Sequence, residues 1–181
     1  MTQPPENDLP LPTPPAALMA RLDAMGIAYT LHHHEAVFTG AEAAFLKKDI
    51  PAVHVKNLFV RDKKERMALI VVPDEISLDL KTLAPAIDLD RLSFGSPERL
   101  WTYLGVRPGS VCPFAAINDT EGQVKVVLDK SAADANFMCA HPMLNTMSVA
   151  LSGADMVRFL TEIGHPPQIL DLSAYQRAEA A

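Results

Sequence analysis

Val53-His54-Val55-Lys56-Asn57-Leu58-Phe59-Val60-Arg61, then Asp62-Lys63-Lys64-Glu65-Arg66, then Met67-Ala68-Leu69-Ile70-Val71-Val72, reads as two strands joined by a charged turn. The second arm is a nearly continuous apolar run, the pattern of a strand covered on both faces. Lys56 and Asn57 interrupt the first arm with a cation and an amide. Two readings are open for Lys56. On an edge strand it faces solvent and discourages edge-to-edge pairing. On an interior strand its ammonium enters a pocket and holds an anionic or carbonyl-bearing ligand.

Working outward, 181 residues with 49% hydrophobic and 21% charged composition suit one domain with a real core. No apolar run reaches membrane-spanning length and no secretory signal opens the chain, so a cytoplasmic protein without a membrane partner is expected. Cys112 and Cys139 are too few and too far apart for a disulfide framework or metal knuckle and read as reduced thiols. The net charge of −6 argues against a general nucleic-acid coat, DNA included. Yet residues 45–66 hold seven of the sixteen basic residues against three acids. That local patch is either a solvated turn or a contact for a few phosphates.

Six of the fifteen prolines precede Ala16, so residues 1–13 are expected to form a disordered tail, residues 14–174 one domain, and residues 175–181 a flexible C-terminal tail. A first helix over 15–25 stops at Gly26, and a strand follows over 27–33. His32-His33-His34 invites a metal reading, but alternate strand side chains diverge and no cysteine completes a set, so these read as surface histidines. Thr39 and Glu42 form a capping box that starts the next helix; Thr39 is that cap, or its hydroxyl meets a ligand. After the central hairpin the spacing predicts a helix over 76–84, a strand over 92–94 and a helix from Ser96 to Gly105. The Gly/Pro loop 106–113 follows, either a backbone cradle for a ligand or an ordinary turn. A second hairpin is expected from strands 114–117 and 124–128, then a short helix over 132–136 and an extended His141 before Pro142. A strand from Asn145 to Leu151, a helix over 154–163 and a strand over 169–172 complete the chain. No Walker loop, dinucleotide fingerprint or Ser/Cys nucleophile signature is present.

Three stretches, V-K-N-L-F around Lys56-Asn57, Gly109-Ser110-Val111-Cys112-Pro113, and His141-Pro142-Met143-Leu144-Asn145-Thr146, occur in one order with F-V-R-D-K-K, L-S-F-G-S-P-E-R-L and A-x-I-N-D-T-E-G. Together they resemble the YbaK/ProX superfamily from about Leu18 to Leu172. These are free-standing relatives of the editing domain inserted in bacterial prolyl-tRNA synthetases. The likeness is greatest to the ProX (PrdX) branch, which removes alanine from mischarged proline tRNA. One departure is Ala52-Val53-His54-Val55, where the family pattern leads one to expect glycine. The resemblance implies an α+β fold, a curled mixed sheet surrounded by helices, and a cytoplasmic deacylase without metal or cofactor.

It further implies Lys56 as the catalytic residue. Asn57, Thr39, Gly109, Ser110, Val111, Pro113, His141, Asn145 and Thr146 are then substrate-binding, with the acceptor end of mischarged proline tRNA as partner and prolyl-tRNA synthetase or elongation factor as candidate protein partners. Ester hydrolysis needs a placed water, a proton acceptor and oxyanion stabilisation. Lys56 would fix a phosphate or ribose oxygen and the loop amides the carbonyl. His141 is a pocket residue first; the proton acceptor is either His141 or the tRNA's own ribose hydroxyl. Ala41, Phe45 and Leu58 are candidates for a small specificity wall. The alternatives are a deacylase for cysteine, serine or a non-protein amino acid, a non-catalytic binder of tRNA ends and, third, a metal hydrolase.

Overall fold

The computed structural model describes residues 9–37 and 44–178. Its centre is the hairpin of β2 (Val53–Arg61) and β3 (Met67–Pro73), registered so that Lys56 faces Val72 and Asn57 faces Val71. Every residue of β3 is buried, because β2 flanks it on one side and β5 (Val124–Asp129) runs parallel to it on the other. β5 in turn pairs in parallel with β8 (Gln168–Leu170). On the other side, β2 pairs in parallel with β6 (Met138–Ala140), and β6 is antiparallel to β7 (Met147–Leu151), which pairs with β1 (Tyr29–His33). The order is β1-β7-β6-β2-β3-β5-β8, with β4 (Ser93–Phe94) on the end of β2. This is a mixed sheet in an α+β fold.

β2 is therefore an interior strand, but an incompletely paired one. β6 reaches only Val53 and His54, and β4 only Val60 and Arg61.

Strand alternation sorts the side chains into two layers. Val53, Val55 and Phe59 join the larger core with Met67, Leu69 and Val71, under α1 (Pro15–Ala24), α4 (Pro97–Leu104) and α6 (Gly153–Glu162). Leu18 and Leu22, one helical turn apart on α1, are fully buried there and contribute about 1.5–3 kcal/mol apiece. Leu58 and Val60 face the opposite layer with Ile70, Val72 and Leu83 of α3 (Leu80–Ala86). A third, smaller cluster packs Leu46 of α2 (Ala44–Asp49) and Ile50 on Val37, Cys139 and Ala150.

Several sequence expectations change. Residues 114–117 are not a strand: Pro113–Asn118 is a 3₁₀ helix, so there is no second hairpin. Pro113 presets its first turn, and Phe114, Ala115 and Ala116 are all buried, a short apolar run whose periodicity cannot separate strand from helix. The helix expected over 76–84 begins later because Asp79 caps it through Lys81 N. The one expected over 132–136 is instead α5 (Lys130–Ala133), capped by Asp129. Parts of both expected tails lie against the body: Thr13 Oγ1 donates to Asn118 Oδ1 at 2.7 Å, and Arg177 N donates to Ser77 O at 2.7 Å.

Candidate active site

Lys56 and Asn57 are neighbours on a strand and so point to opposite faces of the sheet. Lys56 Nζ donates to Asp74 O at 3.0 Å, just beyond the end of β3. Asn57 lies between Val55 and Phe59 on the larger-core face, where its Oδ1 is buried without a hydrogen-bond partner. A lone buried acceptor costs stability and is poised for a donor from outside.

A cavity of about 60 Å³ opens between β2, β6, β7 and α2, and Asp74, which holds Lys56, is part of its lining. Its apolar wall is Val37, Leu46, Val55 and Ala140, and its polar wall is His54, Asp74, His141 and Ser148 with the Cys139 thiol. Roughly 30 Å³ is the share of one liquid water, so the space takes about two waters or a methyl-sized group.

Backbone carbonyls fix the histidines around it. His54 Nε2 donates to Ile50 O at 2.8 Å and His141 Nδ1 to Met147 O at 2.8 Å. His34 Nδ1 donates to Glu35 O at 2.7 Å, while its Nε2 lies 2.8 Å from Ser148 Oγ. The His34 and His141 ring centroids are 5.9 Å apart. Burial holds the His141 pKa below the usual histidine value; the Met147 carbonyl opposes this, and His34 and His54 add to it. Burial pushes the Cys139 thiol up to about 11, so it is a neutral wall group and not a nucleophile. Burial also works to raise the Asp74 carboxyl, but Lys47 outweighs it and the pKa is lowered; Lys47 Nζ sits 2.9 Å from that carboxylate.

The other described residues singled out by sequence do not line this cavity. Asn145 and Thr146 hold the segment after β1: Asn145 Nδ2 donates to Val37 O at 3.3 Å, and Thr146 O accepts from His34 N at 3.0 Å. Gly109, at φ +86°, is exposed, Ser110 is buried and Val111 half-buried. Pro113 starts the 3₁₀ helix. This loop is joined to the 141–146 segment where Cys112 Sγ meets Met143 Sδ at 3.8 Å. Thr39 and Ala41 lie outside the described residues. Phe45 is 46% exposed and stands edge-on to His34, and Leu58 belongs to the opposite core layer.

Sequence reasoning passed over His34, His54, Asp74, Cys139 and Ser148. His34 belongs to the triplet read as surface histidines; only His33 is exposed, and His34 turns toward Ser148. Strand alternation would have paired His34 with His32, but the real neighbours come from β7 and β6, a pairing no local spacing encodes.

Among the described residues no cluster of three or more His, Cys, Asp or Glu groups has metal-holding geometry, and no helix is long and apolar enough to cross a membrane. The basic patch is largely engaged. Lys47 pairs with Asp74, Arg61 with Glu65, Lys64 with Asp90, and Arg66 with Asp62 and Asp90.

This frame, a lysine on an interior strand beside a methyl-sized cavity, coincides with a family match: residues 34–159 fit the aminoacyl-tRNA editing domain. The chain belongs to that family. A curated relative from Acetoanaerobium sticklandii, the prolyl-tRNA editing protein ProX, is 39% identical over 86% of this chain and 96% of its own. The prolyl-tRNA synthetase associated domain-containing protein 1 of Danio rerio is 34% identical over 82% of each chain. A solved structure described as a candidate trans-editing enzyme for prolyl tRNA synthetase superposes with a TM-score of 0.69 over 91% of this chain and 98% of its own, at 18% identity, which speaks for the fold. An editing domain is an aminoacyl-tRNA deacylase, an ester hydrolase.

Proposed function

We propose that this editing domain hydrolyses the ester of alanine mischarged onto proline tRNA and spares correctly charged proline. The observation that supports the reading is a cavity of about 60 Å³, of the order of a methyl group, whose lining includes Asp74, the residue that holds Lys56; that it turns away a pyrrolidine ring is part of the proposal. A synthetase pocket shaped for proline discriminates weakly against alanine, because missing methylenes are worth only about 1–3 kcal/mol. A second, smaller site rejects by steric exclusion instead.

Lys56 is the residue proposed to act on the substrate directly. One of its three donors is spent on Asp74 O, which fixes its direction; the other two are available to a ribose, phosphate or developing ester oxygen. The donor-poor surroundings leave water activation to His141 Nε2 or to the ribose hydroxyl of the tRNA. Asn57 Oδ1 and the Gly109–Pro113 loop are proposed to contact the acceptor end from the other face, across the unpaired stretch of β2. Thr39, Asn145 and Thr146 complete the proposed binding set. Prolyl-tRNA synthetase and elongation factor, which hold the same tRNA, are the proposed protein partners.

Release of labelled alanine from Ala-tRNA(Pro), with Pro-tRNA(Pro) and Lys56→Ala in parallel, tests this. Alanine release that spares proline and vanishes without Lys56 is the expected result. Binding of tRNA without release above the uncatalysed rate would move the assignment to another aminoacyl group or to a non-catalytic tRNA-end binder.

A further inference from the structure

The hydrogen-bond directions around the cavity add a requirement that size alone does not impose. A carbonyl oxygen only accepts, so Glu35 O places the proton of the neutral His34 ring on Nδ1 and makes Nε2 an acceptor. Ser148 Oγ, 2.8 Å away, must then donate to it; the neutral Cys139 thiol, hydrogen-bonded to the same hydroxyl, takes one of its lone pairs and leaves the other. By the same logic Met147 O fixes the proton of neutral His141 on Nδ1, leaving Nε2 as a lone pair without a partner among the described residues. Ile50 O does so for His54, leaving Nδ1. Asp74 contributes a carboxylate. Of the five polar groups that line the cavity, His54, Asp74, His141 and Ser148 present acceptors, and the one donor, the Cys139 S–H, is spent on Ser148. The nearby cation, Lys56, does not line it and is turned onto Asp74 O.

We propose that this acceptor-lined end of the cavity, with Ser148 and His141 in contact and His34 as the positioning residue that sets the Ser148 hydroxyl, recognises the free primary ammonium of the aminoacyl ester and so excludes N-acylated esters. The inference rests on the deacylase reading above and deepens it. An ammonium brings three donors into a site that offers only acceptors, which is the arrangement that offsets the cost of taking a charge out of water. An N-acylated amine is neutral and brings one donor, and its acyl group needs volume that a cavity of about 60 Å³ lacks. The ester then lies with its amine at Ser148 and His141 and its ribose toward Lys56; with the His141 Nε2 lone pair on the ammonium, water activation falls to the ribose hydroxyl, and the site is specific for aminoacyl over peptidyl or formylated esters. Prolyl ester is disfavoured twice, by ring size and by having two ammonium protons in place of three.

The experiment compares hydrolysis of Ala-tRNA(Pro) with that of N-acetyl-Ala-tRNA(Pro) by the wild type, Ser148→Ala, His34→Leu and His34→Gln. Affinity for the non-hydrolysable amide 3′-alanylamido-3′-deoxyadenosine and its N-acetyl form is measured by calorimetry in parallel. The wild type is expected to favour the free amine at least tenfold in both readouts, the loss that follows when a hydrogen bond to a charged group cannot form. Ser148→Ala should raise KM for the free-amine ester about tenfold while leaving the N-acetyl ester unaffected. His34→Leu should copy it, and His34→Gln, whose amide oxygen can still accept from Ser148, should recover part of the preference. Equal affinity of the two amides overturns the inference whatever the turnover. Preferential binding of the free-amine amide without hydrolysis of either ester leaves the ammonium site standing and counts against the deacylase reading instead. Thermal melts identify any variant that fails to fold, and the His34 pair then carries the comparison without Ser148→Ala.

Discussion

Lys56 Nζ and Asp74 O are 3.0 Å apart, and the same Asp74 presents its carboxylate to Lys47 of α2 at 2.9 Å. One residue thus holds the proposed catalytic lysine by its backbone and the helix over the cavity by its side chain.

The two roles of Asp74 are separable. Asp74→Asn keeps the carbonyl that Lys56 uses and removes only the charge that Lys47 meets. With Lys47 44% exposed, that pair is worth no more than about 1 kcal/mol. Chemical denaturation should register a loss of that order, with alanine release still dependent on Lys56. Lys56→Ala should lower kcat at least 100-fold, the scale of removing one preorganised donor from a developing oxyanion. Lys56→Arg should not restore it, because the planar guanidinium cannot take the place of a compact ammonium on Asp74 O.

The buried turn carboxylate gives a prediction about acid stability. Asp62 is 1% exposed, and its burial works to raise its pKa, but Arg66 and the backbone N–H groups of Asp90, Arg66 and Lys64 outweigh this and lower it to about 2. A group depressed on folding stabilises the protein above its unfolded value, near 3.9, and that contribution disappears as pH falls through about 2. Asp62→Asn should therefore lower the melting temperature clearly at pH 7 and progressively less between pH 4 and pH 2. A difference that stays constant over that range would refute the assignment.

The central hairpin and the helices that follow Ser96 and Ser152 were legible in the sequence because each rests on local pattern: alternation in β2, an unbroken apolar run in β3, and a serine before each of those helices. Of the residues the motifs singled out, His141 lines the cavity, while Lys56 meets its lining only through Asp74 and the Gly109 loop does not line it. What remained hidden depends on contacts distant in the chain. His34 and Ser148 lie 114 residues apart and meet only because β1 pairs with β7. Asp74 follows a strand without any motif, and its role comes from Lys56, 18 residues earlier. The 3₁₀ turn at Pro113–Asn118 was misread as a strand because a short, wholly buried apolar run carries no period. That Lys56 and Asn57 face opposite layers follows from alternation alone and bears on how one substrate can reach both.

His141 gives a second prediction about pH, of the same sign but in a higher range. Its pKa in the folded protein lies below the unfolded value near 6.5, because burial and the neighbouring His34 and His54 disfavour a charge there. Between the two values the unfolded chain binds the extra proton, so stability is lost as pH falls below about 6.5 and is unaffected above it. His141→Gln should flatten the melting-temperature profile between pH 6.5 and 5. NMR titration of the ring should place its midpoint below the ordinary histidine value near 6.5.

The sieve makes the last prediction. Leu46 is 5% exposed, belongs to the small cluster with Val37 and Cys139, and forms part of the apolar wall of the cavity. Leu46→Ala removes three carbons from that wall, at a stability cost of about 2–5 kcal/mol for a truncated core leucine. If exclusion of proline is steric, the enlarged cavity admits the ring and proline is released from Pro-tRNA(Pro), while alanine release falls because the methyl group is no longer enclosed. Discrimination should drop by about 10–200-fold, the range that a methylene or two in an apolar pocket commands. The decisive quantity is the ratio of kcat/KM for the two esters, measured below the variant's melting temperature. A ratio unchanged in a folded Leu46→Ala protein would mean that selection against proline resides in the ammonium contacts at Ser148 and His141 and not in the wall.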